Sequence, residues 1–202
     1  MGYTAIVDYN VGNLSSICHA LEYIGAPTRI TAEEAVLEGA DGIVLPGVGA
    51  FPDAWSELQQ RGLPAVLRRQ AEHKPILGIC LGMQLLMTSS TEVRPCRGLH
   101  LVPGTVDKIK TNLKLPHIGW NTLHFKTPTP LFAGVDEGAY VYFVHTYCAM
   151  VELERDVYAV TDYGGPVSAA VGRGNVYGTY ANTGSCVAVT NYLQHEDLER
   201  MK

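Results

Sequence analysis

The sequence predicts an α/β fold: a central, mostly parallel, doubly wound sheet with helices on both faces, plus an antiparallel extension. Three observations point there. Short apolar runs alternate with amphipathic segments through the first half. Strand-like runs separated by Gly, Pro and Asp turns fill the second half. One early run, Ile76 to Ile79, passes directly into Gly78-Ile79-Cys80-Leu81-Gly82, a G-x-C-x-G turn in strand-to-helix context.

Taken in order, Tyr3 to Val7 reads as a buried strand, followed by the loop Asp8-Tyr9-Asn10-Val11-Gly12-Asn13 and a helix over Leu14 to Gly25. Thr28 to Ile30 and Gly42 to Leu45 read as the next strands, the second ending in Pro46-Gly47-Val48-Gly49. From Ala54 to Glu72 the pattern predicts one helix, with Leu58, Leu63, Val66 and Leu67 facing a core. Beyond the Cys80 turn an amphipathic segment continues to Thr88. Strands are then expected at 98–109, 121–125, 140–147, 157–163, 167–171 and 175–180, with a last helix over 188–200. No repeat or linker interrupts the pattern, so residues 1–202 are expected to form one domain.

Bulk properties narrow the function. The 202 residues are 47 % hydrophobic and 17 % charged, enough for a sizeable core. Net charge is −5 without a basic stripe, which argues against a nucleic-acid partner. No apolar run approaches the ~20 residues that span a bilayer. The chain opens on MGYTAIVDYN with strand residues at once, so no leader is expected. Cys18, Cys80, Cys96, Cys148 and Cys186 show no zinc-like spacing, and free thiols in a reducing cytoplasm are expected. Neither a metal nor a nucleotide cofactor is implied, since the glycine-rich loops lack both phosphate-binding patterns.

The turn at Cys80 is a nucleophile elbow. Its backbone bends so sharply that residues two before and two after the nucleophile crowd each other, and glycine occupies both places. Cys80 is expected at the start of a helix, where backbone dipoles favour a thiolate. Asp8 to Asn13, Pro46 to Gly49 and the elbow should gather at the carboxyl edge of the sheet, where open α/β folds bind ligands. The loop at 46–49 offers backbone N–H groups suited to stabilising an oxyanion.

The elbow GICLGMQ, the strand end LPGVGAF (45–51), the opening DYNVGN (8–13), the block LPHIGWN (115–121) and YFVHTY (142–147) together resemble the class I glutamine amidotransferases. Within that class they resemble the glutaminase subunits of imidazole glycerol phosphate synthase, of histidine biosynthesis, over residues 3 to 178. The resemblance implies that Cys80 attacks the side-chain amide of L-glutamine, forming a thioester and releasing ammonia. It implies Gly47, Val48 and Gly49 as the oxyanion segment, with the Leu81 N–H as second donor. Gln84 and Glu92 match positions around the substrate amide and α-amino group, and His145, Thr146 and Tyr147 match those at its carboxylate. Asn10, Asn13, Trp120, Asn121 and Tyr142 match residues facing a partner, a (β/α)₈-barrel cyclase that consumes the ammonia.

The pattern breaks after Gly178. Family members carry a motif resembling Q-F-H-P-E-K-S, supplying a histidine base and the glutamate that orients it. Here the chain reads Gly178-Thr179-Tyr180-Ala181-Asn182-Thr183-Gly184-Ser185-Cys186, which puts Asn182 and Gly184 at those two positions. Neutral asparagine cannot take a proton from Cys80, and general base catalysis contributes about 10²–10⁴-fold. Glutamine hydrolysis is therefore expected to be weak. Two other readings follow: an impaired pseudo-glutaminase that caps and regulates the cyclase, and a thiol hydrolase that uses Cys80 with another base. Among the remaining histidines, His145 and His117 lie in the substrate and interface blocks. His19, His73 and His100 read as surface or edge residues, and His195 falls near the last helix. Glu152, Glu154, Arg155 and Asp156 read as a solvated turn, Trp55 as helix packing, and Cys148 and Cys186 as inert.

Overall fold

The structure, a computed structural model, describes residues 2–180. The predicted helix over 188–200, together with Asn182, Gly184, Cys186 and His195, lies outside the described residues.

Four buried residues form β1 (Thr4–Val7). Helix α1 (Leu14–Tyr23) begins where the Asn13 side chain accepts the Ser16 N–H at 3.2 Å, and buries Ile17 and Leu21. After β2 (Thr28–Thr31) comes α2 (Glu34–Glu38), which was not predicted because five residues are too few to show a helical period. Strand β3 (Gly42–Leu45) is buried throughout.

The single helix expected over 54–72 is two: α3 (Phe51–Gln60) and α4 (Leu63–Ala71). Gly62 adopts φ +69 between them and Pro64 opens the second, so the break has a conformational cause. The same apolar positions still face inward, with Leu58, Leu63, Val66 and Leu67 buried. Trp55 is buried as helix packing, as expected.

Strand β4 (Ile76–Ile79) leads into α5 (Leu81–Leu85), one short helix rather than a segment reaching Thr88. The chain instead turns into β5 (Met87–Ser90), whose Thr and Ser residues favour strand over helix. The second half then adds β6 (Cys96–Arg97), β7 (Val102–Lys108), β8 (His117–Thr122), β9 (His124–Phe125), β10 (Tyr140–His145), β11 (Tyr147–Val151), β12 (Val157–Asp162), β13 (Pro166–Arg173) and β14 (Val176–Thr179).

The main sheet runs β2-β1-β3-β4-β14-β13-β12-β9. Its first five strands are parallel and the remaining three are joined antiparallel, as the two halves of the sequence predict. A two-stranded ribbon, β10-β8, and a four-stranded sheet, β11-β7-β5-β6, complete the antiparallel part. The carboxyl ends of β1, β3 and β4 lead into the three loops singled out above.

One sequence expectation about the surface fails. Asp156 is 4 % exposed and ion-paired to Arg173, so it is a buried anchor rather than part of a solvated turn. Burying a carboxylate requires such a partner, and the arginine comes from β13, out of reach of any local pattern.

Candidate active site

Three glycines let the backbone of the elbow close. A Cβ on Gly78 would lie 2.7 Å from the Gly82 carbonyl oxygen and the Met83 nitrogen. One on Gly47 would lie 2.7 Å from the Gly82 nitrogen and 2.8 Å from Leu81 Cβ, and one on Gly82 would run into the Leu45 carbonyl. The loop after β3 therefore rests directly on the first turn of α5. At the bend Cys80 adopts φ 54 and ψ −113, a strained conformation for a non-glycine residue and the signature of a nucleophile elbow. Its N–H donates to the Thr179 carbonyl at 2.8 Å, which ties the elbow to β14.

Cys80 opens onto a cavity of about 500 Å³, of a size to hold a small polar ligand. Gly47, Val48, Gly49, Leu81, Gln84, Glu92, His145, Thr146 and Tyr147 line it, which are the predicted oxyanion and substrate positions. Asn13 lines it too, as do Ile17, Pro116 and Val144, which the sequence did not single out. The N–H groups of Gly47, Val48 and Gly49 donate to no acceptor among the described residues. Val48 is 56 % exposed and Gly49 holds φ +95, so the middle of this loop is open.

The ends of the loop are held. On one side the buried Tyr9 hydroxyl donates to the Pro46 carbonyl at 2.5 Å. On the other, Glu92 accepts the Phe51 N–H at 2.8 Å. Helix α3 has no side-chain cap from its own N-cap residue, Ala50, so the Glu92 carboxylate takes that place and meets the positive end of the helix.

Electrostatically the cysteine departs from expectation. Burial pushes the Cys80 thiol up, and the Leu81 N–H only partly offsets it. Desolvation outweighs the five-residue α5, so the thiol form is favoured at neutral pH rather than the thiolate expected from a helix N-terminus. No imidazole among the described residues hydrogen-bonds the sulfur.

His145 is engaged elsewhere. Its Nδ1–H donates to the Tyr147 carbonyl at 2.9 Å, its ring stacks on Tyr180 with centroids 4.2 Å apart, and its Nε2 has no partner among the described residues. Burial pulls its pKa down to about 4, so the ring is neutral at pH 7. His117, directly opposite on β8, is fully buried between Phe143 and Tyr163 rather than placed at a surface. Of the remaining described histidines, His19, His73 and His100 are exposed, as expected, and so is His124, which meets Glu137 at 3.0 Å. The described cysteines are free, and burial raises the Cys148 thiol to about 11, consistent with an inert residue. No group of three or more metal-ligating side chains occurs among the described residues. No helix among them is long and apolar enough to cross a membrane.

A strained cysteine at a nucleophile elbow and free loop amides beside it are the parts that acyl transfer through a thiol requires. A model of the class-I glutamine amidotransferase family matches residues 5–179. The chain belongs to the class-I glutamine amidotransferases. It is 46 % identical over 175 residues to a protein of Bacillus thuringiensis (strain Al Hakam) named imidazole glycerol phosphate synthase subunit HisH, covering 86 % of this chain and 83 % of that protein. A Bacillus anthracis protein of the same name matches to the same extent. Among solved structures, a crystal structure of a glutamine amidotransferase superposes with TM-score 0.73 at 16 % identity over 98 % of both chains. PurLQS from Thermotoga maritima superposes with TM-score 0.74 at 18 % identity, covering 96 % of this chain and 98 % of that one. The fold expected from the sequence is thus the fold of the class-I amidotransferases. The family match ends at Thr179.

The predicted partner-facing residues divide. Trp120 is 61 % exposed on β8 and meets Tyr142 of β10 edge-on, ring centroids 5.6 Å apart. Ile118, Tyr140 and Val144 extend this face of the ribbon, giving the amidotransferase an apolar patch beside its cavity mouth. Asn121 falls on the opposite face. It accepts from His117 Nε2–H at 3.0 Å and donates to the Asp162 carbonyl at 2.9 Å. Its half-buried side chain ties β8 to β12. Asn10 is exposed, with φ 65, and donates to Glu57 at 3.1 Å, while Asn13 serves as the α1 cap.

Proposed function

We propose that this protein is a glutaminase subunit of imidazole glycerol phosphate synthase whose chemistry is slowed at the proton-transfer step. The observation that carries the reading is the convergence of Cys80, the free amides of 47–49 and the side chains of Gln84 and Glu92 on one cavity. Cys80 Sγ adds to the amide carbon of L-glutamine. The oxygen that becomes negative is met by N–H groups of the oxyanion loop and of Leu81. Ammonia leaves, and water cleaves the thioester to glutamate. Gln84 and Glu92 hold the amide and α-amino ends, while His145, Thr146 and Tyr147 border the carboxylate end. The ribbon face bearing Trp120 and Tyr142, with Asn10 and Asn13, supplies the docking surface for a (β/α)₈-barrel cyclase that takes up the ammonia.

Each turnover requires the thiol proton to move, and the raised thiol of Cys80 has no imidazole bonded to it among the described residues. Asn182 at the base position cannot supply that step, so hydrolysis is expected to fall by about 10²–10⁴-fold relative to a complete triad. That same observation favours a second reading, in which the protein caps and regulates the cyclase while free ammonia provides the nitrogen. Purified protein with its cyclase separates the two. Slow, Cys80-dependent glutamate release supports the slowed glutaminase, ammonia-only turnover supports the cap, and a normal glutamine rate overturns the impairment.

A further inference from the structure

The oxyanion loop has to present its N–H groups in a fixed direction, yet its middle is exposed and built on glycine. Something outside it must set that direction. We propose that Tyr9 is a positioning residue for the oxyanion loop, its hydroxyl holding the Pro46 carbonyl so that the Gly47 amide is aimed and kept in place. For its catalytic consequence the proposal rests on the glutaminase reading above.

Tyr9 is fully buried at the turn that follows β1. A buried hydroxyl must find a partner, and this one has the Pro46 carbonyl at 2.5 Å. The carbonyl belongs to the same planar peptide as the Gly47 N–H, and in a trans peptide the two point in opposite directions. Fixing one therefore fixes the other. The backbone of the same turn is also close: a Cβ on Gly12 would lie 3.0 Å from Pro46 Cβ. At the far end of the loop the Glu92 carboxylate holds the Phe51 N–H at 2.8 Å. The loop is thus pinned at its entrance by Tyr9 and at its exit by Glu92, and Val48 and Gly49 are the segment left to adjust between them. Removal of the Tyr9 hydroxyl leaves the Pro46–Gly47 peptide free to rotate while the ring still fills its place in the core.

The test uses Tyr9→Phe in the full chain. Tyr3→Phe is the control, because the Tyr3 hydroxyl donates to the Val36 carbonyl at 2.6 Å, the same kind of bond at the other end of β1. Two electrophiles report on Cys80. A chloromethyl ketone analogue of glutamine reacts by adding the sulfur to its ketone, placing negative charge on the oxygen, before the thioether forms and chloride leaves. Iodoacetamide reacts by direct displacement of iodide and needs no oxyanion donor. Tyr9→Phe is expected to slow the chloromethyl ketone about tenfold, a fraction of the value of one oxyanion donor, with the iodoacetamide rate unchanged. Backbone ¹⁵N order parameters at Gly47, Val48 and Gly49 are expected to fall while β1, β3 and β4 keep theirs, and Tyr3→Phe is expected to change neither the reagent rates nor the loop. Unchanged order parameters in the loop overturn the proposal. So does an equal slowing of both reagents, or a fall in order spread across β1 and β3, because those mark a general structural role. If the unsubstituted protein ignores the chloromethyl ketone, the glutaminase reading fails, and the order parameters alone then decide the role of Tyr9.

Discussion

At the elbow, Gly47, Gly78 and Gly82 bring three stretches of backbone into contact, and nothing larger than hydrogen fits between them. The β8–β10 ribbon borders the same cavity and is built from large rings. His117 and His145 face each other inside it, Phe143, Tyr163 and Tyr180 stack around them, and Trp120 and Tyr142 stand on the outside. The elbow tolerates no added atom. The ribbon instead carries two buried imidazole nitrogens, His117 Nδ1 and His145 Nε2, that have no partner among the described residues. One wall of the cavity is fixed by sterics, the other by polarity and stacking, and the two should fail under different stresses.

The largest effect is expected at the elbow. Gly82→Ala drives a methyl group into the Leu45 carbonyl, a backbone atom that cannot move aside. Unfolding in urea should show a loss of at least about 3 kcal/mol, the upper part of the range for overpacking. A loss below 1 kcal/mol means that α5 can shift away from β3 and that the walls are less unlike than described.

The ribbon should respond to pH. His145 ionises near pH 4 in the folded protein against 6.5 when unfolded, so between those values the unfolded chain binds the proton more tightly. Its contribution is intact above pH 6.5 and is lost as pH falls towards 4, up to about 3 kcal/mol at 1.36 kcal/mol per unit. Urea titrations from pH 7 to pH 4 should show this slope, and His145→Leu should flatten it. An identical slope in the variant places the acid sensitivity elsewhere.

The smallest effect on stability is expected outside the ribbon. Trp120→Ala removes an exposed ring, so folding should change by no more than about 0.5 kcal/mol. Affinity for the cyclase should nevertheless drop by about tenfold or more, since exposed aromatics of this kind anchor interfaces. Urea unfolding reads the first, and calorimetric titration of variant against cyclase reads the second. Unchanged affinity removes this face from the docking surface.

The same contrast explains what the amino-acid sequence discloses. The elbow is legible because its constraint is local: a strand, then glycines two residues either side of a cysteine, allow little else. The five parallel strands follow from short apolar runs for the same reason. The ribbon is less legible because its faces depend on where β8 begins. Starting it at His117 rather than Asn121 puts Asn121 beside His117 and leaves Trp120 outside. The pairing of Asp156 with Arg173, the cap that Glu92 gives α3 and the bond from Tyr9 to Pro46 all join residues distant in the chain. The ionisation of Cys80 is hidden as well, since the short helix that favours the thiolate is evident from the pattern and the burial that opposes it is not.

The bond from the Cys80 N–H to Thr179 bears on the order of biosynthesis. During translation β1 to β4 leave the ribosome early, and domains can begin to organise as they emerge. The strand that closes over β4 is β14, among the last described segments to be made. Until it arrives, the nascent chain carries an elbow without its final backbone partner. The bend that strains Cys80 is then held on one side only, by the loop after β3. The nucleophile is among the first functional residues synthesised, and its turn is among the last to be tied down.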